Sequence, residues 1–304
     1  MRVAIRLFLA VELRGKYAFT SGCHITRLAV HPRWTWRSSI SGATCVDEFE
    51  IRSKGLGFIF KTFPAADIEK CRFGDSPCLV RTINDLIKRH PKGIPEIGLP
   101  PLDEYNFPDS TVLDAPQRGP IWMTFHMRHN VHRGFNNATV SHVEGFQRDP
   151  TKKQIILKAR LPRLVHDATY DMQGRILLFV ANTTGKLQSD FQNFRLTLTI
   201  KVILEYRNNK RYLKIYDMVP IIDIDRWIVW FDNLYGENED VTIALNHSFN
   251  KHWLEFWNNL EPGILKTFST AFTVLLNTVF EQVAYDDMFL PDIDIRFGSS
   301  DAQN

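Results

Sequence analysis

The sequence predicts an α+β fold in which a strongly curved antiparallel β-sheet wraps around one long C-terminal α-helix. From about residue 121 to 245, apolar and polar side chains alternate with a period of two, as they do in half-buried strands. Between residues 248 and 283 the apolar side chains recur at steps of three and four, the pattern of one helix face. A sheet with one apolar face needs a cover, and this helix offers a matching apolar face.

The predicted helix covers residues 248–283, with Asn246 and Ser248 as candidate N-caps because their side-chain oxygens can accept free backbone N–H groups. At 1.5 Å per residue it would be about 50 Å long. Pro262 and Gly263 interrupt the pattern. We expect them either to kink the helix or to restart it with Pro262 in a first turn.

Six segments carry the alternating pattern, which predicts six to eight long strands in one antiparallel sheet. Asn208 and Asn209 are predicted to form the hairpin turn between two of these strands. The segments are residues 121–127, 155–161, 194–206, 212–218, 227–231 and 241–245.

The composition fits a large core and argues against two kinds of partner. The chain has 304 residues, of which 44% are hydrophobic and 12% aromatic. Residues 1–60 hold nine Lys and Arg against four Asp and Glu, a net charge of +5. Since the whole chain has a net charge of +3, residues 61–304 have a net charge of −2. The main part therefore lacks the basic stripe that nucleic-acid binding needs. No uninterrupted apolar run approaches the roughly 18–20 residues of a membrane span, so we expect neither nucleic acid nor a stable membrane span as a partner.

Cys71 and Cys78 are separated by six residues just before a predicted helix, a spacing that suits a small disulfide loop. The alternative is a metal site, but no nearby Cys or His pair would complete a tetrahedral set of ligands. Cys23 and Cys45 lie in the unpatterned residues 1–60 and are not assigned.

His126, His129 and His132 resemble a metal cluster when the sequence is read alone. On a strand, however, His126 and His132 would face one way and His129 the other. We therefore expect surface histidines and no metal. The sequence also contains no nucleophile elbow, zincin helix or phosphate-binding loop, so we predict neither an enzyme nor a cofactor.

The aromatic faces of the predicted helix and sheet allow two kinds of core. The side chains can fill the space between the faces, or they can leave an apolar tunnel that holds a long apolar ligand. Periodicity does not separate these alternatives.

Three sequons favour export. Asn137, Asn182 and Asn246 would carry N-linked sugars in a secreted protein. Residues 1–11 make a poor secretory signal, because Arg6 interrupts the apolar run.

A set of short motifs follows in a fixed order along the chain. The motifs are Phe63-Pro64, Ile68-x-Lys70-Cys71, Cys78-Leu79, the proline-rich segment from Lys92 to Asp103, Tyr170-x-x-x-Gly174-x-Ile176-Leu177, Asp232-Asn-Leu-Tyr-Gly236, Asn246 with Trp253 and the long helix, and Phe289-Leu-Pro291. Together they resemble the insect takeout and haemolymph juvenile hormone binding protein family over residues 61–292, about three quarters of the chain.

The resemblance implies a secreted protein with an apolar internal tunnel that carries a small lipophilic ligand, such as a terpenoid, a juvenile-hormone-like molecule or a fatty acid. It also implies a disulfide between Cys71 and Cys78. The chain is more similar to the takeout branch, because it lacks the cysteines of the second disulfide of the hormone-binding branch. Two departures, Asp103-Glu-Tyr105 for Asp-Pro-Leu and a single Gly185 for a double glycine, bear on the ligand rather than on the fold.

The residues expected to line the tunnel face inward by alternation, and at least half of them would be plain core. They are Phe125, Met127, Leu157, Leu161, Leu178, Leu198, Val202, Phe268 and Phe272. Tyr170, Tyr206 and Thr124 are the candidates for a polar contact that orients the ligand.

The sequence thus predicts a secreted carrier whose ligand-binding domain covers residues 61–292, between an extension (1–60) and a C-terminal tail (293–304). The alternative is a module with a filled core that binds a protein or a membrane through its surface. A void of roughly several hundred Å³ would favour the carrier, and a close-packed interior with an exposed apolar patch would favour the module. A buried Ser–His–acid cluster would instead indicate a hydrolase.

Residues 1–60 are basic and unpatterned, so we expect them to be disordered, or to be wrongly joined upstream of the true start. Deleting residues 1–60 should leave both the melting temperature and ligand binding unchanged, as measured by thermal unfolding and a binding titration. A loss of more than about 1 kcal/mol in unfolding free energy would place the domain boundary elsewhere.

Overall fold

The computed structural model describes residues 68–114, 121–176, 179–236 and 238–291, together with the backbone of three strands between residues 25 and 45. The chain forms two units, Met1–Phe60 and Lys61–Asn304. In the first unit, three strands that were not predicted pair into an antiparallel sheet: β1 (Ile25–Val30), β2 (Arg33–Ile40) and β3 (Ala43–Cys45). The rest of residues 1–60 and the tail 293–304 lie outside the described residues, so the expectation of disorder stays a prediction.

The described part of the second unit contains eight strands and three α-helices. In chain order they are α1 (Ser76–Arg89), β4 (Glu104–Phe107), β5 (Ser110–Asp114), β6 (Ile121–Arg133), β7 (Thr139–Glu144), β8 (Ile155–Ile176), β9 (Phe179–Arg207), β10 (Lys210–Asp223), β11 (Arg226–Phe231), α2 (Glu239–Lys251) and α3 (Trp253–Gln282).

All eight strands belong to one antiparallel sheet in the order β10-β9-β8-β6-β4, and in addition β11 pairs with β9, β5 with β6 and β7 with β8. The helix α3 packs against β10, β5 and β11. The predicted fold class, a curved antiparallel sheet with a long C-terminal helix, is therefore confirmed.

The two central strands carry the curvature of the sheet. With 22 and 29 residues, β8 and β9 would be about 70 and 95 Å long if straight, so they must coil. Leu161 and Leu164 are both buried on β8, and Phe191 and Phe194 are both buried on β9. Residues three apart on a regular strand face opposite sides of the sheet, so each strand exchanges its inner and outer faces between these two residues. The neighbouring strands also change at this point. The partner of β8 changes from β6 to β7, and the partner of β9 changes from β10 to β11. This bend divides the sheet, and we call the part with β4, β5, β6 and β11 its first half.

The helix α2 corrects two predictions. Residues 241–245 belong to α2 and not to a strand, and Asn246 and Ser248 lie inside α2 rather than capping the next helix. The N-cap is Asn238, whose side chain accepts a hydrogen bond from a backbone N–H of the first turn. The apolar alternation was misleading because α2 packs through polar residues, with Thr242 and Asn246 both buried.

Two asparagines of α2 bond to the edge of β11 as a further strand would. The Asn246 side chain donates to the Phe231 carbonyl oxygen (2.7 Å) and accepts from the Phe231 N–H (2.9 Å). One turn later Asn250 makes the same pair of bonds with Val229, at 2.6 and 2.9 Å. These bonds satisfy backbone groups that an open strand edge would leave unpaired. Asn246 is only 1% exposed, so its prediction as a glycosylation site is wrong for the folded chain.

The helix α3 runs from Trp253 to Gln282 without a break, so of the two alternatives predicted at Pro262 the restart is wrong, and the kink stays a prediction. The interruption lies instead at His252, between α2 and α3. Gly263 has a packing role, because a Cβ at this position would collide with the carbonyl oxygen of Val112 on β5. The glycine therefore allows helix and sheet to approach closely.

Polar side chains on α3 hold the helix against β10. The Ser269 hydroxyl donates to the Met218 carbonyl oxygen (2.7 Å), and the Asn277 side chain accepts from the Ile215 N–H (2.9 Å). By length and composition alone α3 is also apolar enough to cross a membrane, which the count of uninterrupted apolar residues did not reveal. A core helix with one buried apolar face has the same composition.

Cys71 and Cys78 form a disulfide, as predicted. The bond ties the strand-like segment at Cys71 to the first turn of α1. The Leu290 N–H donates to the Cys71 carbonyl oxygen (2.9 Å), so this segment also holds the chain that follows α3.

Substitution of Phe268 or Phe272 by Asp should unfold or severely destabilise the second unit. Both rings are buried among Phe107, His132 and Phe135, so each change removes packing and buries an unpaired charge, at a cost of at least about 3 kcal/mol. Chemical denaturation measures this loss. The control is Val274→Asp on the exposed side of α3, which should cost less than about 1 kcal/mol; equal stability of all three variants would contradict the packing described.

Candidate functional site

A small apolar cavity of about 30 Å³ lies between α3 and the first half of the sheet. Its wall is formed by side chains of β5, β6, β8, β9, β11 and α3. These are Val112, Phe125, Met127, His132, His166, Leu187, Ser189, Phe191, Trp227, Phe231, Leu260, Ile264, Thr267 and Phe268. A space of this size holds roughly two water molecules, which is far smaller than a lipid.

Three of the predicted lining residues, Phe125, Met127 and Phe268, border this cavity. The others do not: Leu161, Tyr170, Leu198, Val202 and Phe272 are buried elsewhere in the core, and Leu157 is partly buried. Tyr206 is 72% exposed near the end of β9, so its prediction as an internal contact is wrong. Thr124 is half-buried and next to Phe125, hence on the opposite strand face. The side chain of Leu178 lies outside the described residues.

The expectation that His132 lies at the surface is wrong, and a β-bulge explains the error. The register of β6 against β8 shifts between Arg128 and Val131, and His129 has a φ of 53°. Because β6 has one extra residue at this point, the side chains that face the core are Phe125 and Met127 before the bulge and Asn130 and His132 after it. His132 therefore faces the core.

With His132 turned inward by the bulge, three polar side chains lie in one row across neighbouring strands. His132 on β6 is directly opposite His166 on β8, and His166 is directly opposite Ser189 on β9. The two imidazole rings stack with centroids 4.3 Å apart. Sequence analysis missed His166 and Ser189 because the predicted strands ended at residue 161 and began at 194. The alternation at 164–170 and 187–191 was the available signal.

An amide sets the protonation of His166. The Asn130 amide nitrogen donates to the carbonyl oxygens of Pro108 (3.1 Å) and Met127 (3.2 Å), so its Oδ1 is the acceptor left for His166 Nε2, 3.1 Å away. His166 thus carries its proton on Nε2 and leaves Nδ1 unprotonated.

Both imidazoles are neutral at physiological pH. Burial lowers the pKa of His166 to about 4. Burial, reinforced by the neighbouring His166, holds the pKa of His132 well below its usual value. The described residues that line the cavity therefore present dipoles and no charge.

This row does not make the contacts of a hydrolase triad. The Ser189 hydroxyl forms no hydrogen bond with any described residue, His166 included, and the group that orients His166 is an amide rather than a carboxylate. Within the described ranges, no group of three or more His, Cys, Asp or Glu side chains could hold a metal ion.

The buried histidines predict a loss of stability in mild acid. The unfolded chain takes up protons as the pH falls below the ordinary value of 6.5, whereas folded His166 resists protonation until about 4, so the unfolding free energy falls as the pH falls through this window. For His166 the loss from pH 6.5 to about 5 is roughly 1.5 kcal/mol. Urea denaturation at several pH values should show a shallower dependence for His166→Gln. The same change at the exposed His126 is the control. If the unfolding free energy depends equally on pH in both variants, His132 and His166 are not a neutral buried pair.

Comparison with known proteins places this architecture in a family. The haemolymph juvenile hormone binding protein (JHBP) family matches residues 55–290. The circadian clock-controlled protein daywake is 23% identical in Drosophila yakuba and 21% identical in Drosophila melanogaster, each over 230 residues that cover 75% of this chain and 88% of the relative. The crystal structure of Epiphyas postvittana Takeout 1 has the same fold, with a TM-score of 0.61 and 17% identity over 72% of this chain and 98% of that one. This chain therefore belongs to the haemolymph juvenile hormone binding protein family.

Proposed function

We propose that this protein is a secreted carrier that binds a small hydrophobic ligand between the sheet and α3. The cavity carries the proposal, because its wall is mostly aliphatic and aromatic and lies at the interface of the two main elements. Membership of a family named for the binding of a hormone supports it. The ligand class is a terpenoid, a juvenile-hormone-like molecule or a fatty-acid-like molecule.

Binding requires the cavity to enlarge, since about 30 Å³ does not hold such a ligand. Of the wall residues on α3, Ile264 and Phe268 are buried whereas Leu260 is only partly buried. The proposed entry is therefore beside Leu260, where the fewest contacts have to open. Burial of ligand surface supplies the affinity, at about 25 cal/mol per Å² before the cost of ordering.

Secretion is supported by two features of the structure. The Cys71–Cys78 disulfide is typical of oxidising compartments. Asn137 and Asn182 are exposed, so both remain candidates for glycosylation.

A module that binds a protein or membrane through its surface is the second candidate. The cavity is small, and the sheet exposes large apolar side chains on β10 and β11, namely Tyr216, Val219, Ile221, Ile228 and Trp230. Native mass spectrometry of protein purified from its own tissue separates the two functions. A co-purifying lipid supports the carrier, and a lipid-free protein with a bound protein partner supports the module.

Enlarging one wall residue should block the ligand. Leu260→Phe places extra atoms at the proposed entry and should weaken binding of the apolar fluorophore N-phenylnaphthylamine at least about fivefold, as measured by fluorescence titration. The matched control is Leu276→Phe, the same change at a partly buried position of α3 that does not border the cavity. Equal affinities for the two variants would contradict binding at this site.

A further inference from the structure

The cavity wall contains three polar atoms that have no hydrogen-bond partner among the described residues. They are Ser189 Oγ, His132 Nδ1 and Trp227 Nε1. Their residues are 3%, 4% and 4% exposed, and all three border the cavity. A buried polar group without a partner costs about as much as a lost hydrogen bond, so three such groups around one space need an explanation.

The three groups lie on one face of the first half of the sheet. Ser189 is separated from His132 only by His166, which is directly opposite both. On the other side, Ser189 pairs with Val229, and Trp227 lies two residues from Val229 on the same strand face. Diagonal neighbours of this kind are within reach of a large side chain, so Trp227 can reach the space beside Ser189, and all three groups border the one cavity.

We propose that Ser189, His132 and Trp227 bind the neutral, oxygen-bearing head of an amphipathic ligand. This inference rests on the proposed function and specifies the chemistry of its ligand. The Trp227 indole N–H can only donate, and the Ser189 hydroxyl can donate or accept. A hydroxyl or carbonyl oxygen satisfies both groups, whereas a hydrocarbon satisfies neither.

The electrostatics of the site select a neutral head over a carboxylate. Both histidines are neutral, and no Lys or Arg of the described ranges borders the cavity. A buried carboxylate without a counter-ion is strongly unfavourable. The cavity of about 30 Å³ matches the head alone, so the hydrocarbon tail must extend along α3 towards Leu260, where the proposed entry lies.

The test compares ligands that share a tail and differ in the head. Dodecanol, dodecane and dodecanoate are titrated against the full-length protein by displacement of N-phenylnaphthylamine. For Ser189→Ala and for Trp227→Phe, dodecanol should bind roughly two- to tenfold more weakly than to the parent. The affinity for dodecane should change less than about twofold, because it makes no hydrogen bond. Leu187→Val, an apolar change in the same wall, should alter both affinities to a similar degree.

Each outcome decides the question. If both polar variants weaken dodecanol and dodecane alike, or change neither, the polar site is refuted while the carrier function stands. If no ligand displaces the probe from the parent, the proposed function fails and the inference fails with it. Dodecanoate binding as tightly as dodecanol at neutral pH would refute the neutral head. Thermal melting of each variant verifies its fold, and two independent substitutions keep the test valid if one of them does not fold.

Discussion

Burial of one face of α3 against the inner face of the sheet is the interaction on which the rest of the structure depends. Phe268, Ala271 and Phe272 are buried on this face, and each large side chain contributes about 2–3 kcal/mol through removal from water. A flat sheet would touch so long a helix along only part of its width. The coiling of β8 and β9 brings strands on both sides of the bend, β5 and β10, onto the same helix.

Specific hydrogen bonds cover one edge of this sheet and hold the chain that follows α3. Asn246 and Asn250 pair with the edge of β11, and the disulfide segment holds the chain after α3. On the outer face, the Arg195 guanidinium bridges Asp223 and Asp225 at the level of the bend, at 2.8 and 2.6 Å. Exposed ion pairs of this kind contribute little stability each, so the bend depends mainly on the packing inside it.

The candidate site differs from ordinary core because it combines a well-packed apolar wall with unpaired dipoles. Phe268 contacts both His132 and Phe194, so the polar row is adjacent to the central aromatic cluster. Polar groups in such a place lower the stability of the fold, and sites that bind ligands commonly carry this kind of cost. The neutrality of both histidines limits the cost, because a dipole is cheaper to bury than a charge.

The sequence by itself determined the fold class and parts of five of the eight strands described in the main sheet. The period of two in 121–127 and 194–206 and the helical stripe in 253–282 arise from burial on one side of each element, which depends on local geometry. The disulfide was also predictable, because its loop is short.

What the sequence did not determine follows from contacts between distant residues. Residues 241–245 form a helix despite their alternating apolar pattern, because α2 packs on β11 through polar side chains. Gly263 of α3 is required because the carbonyl oxygen of Val112 on β5 lies too close for a Cβ. The bulge at His129 moved His132 inward, and the bend joined His166 and Ser189 to it. A one-residue shift in strand register exchanges the two faces, so the composition of the site was decided only when the strands paired.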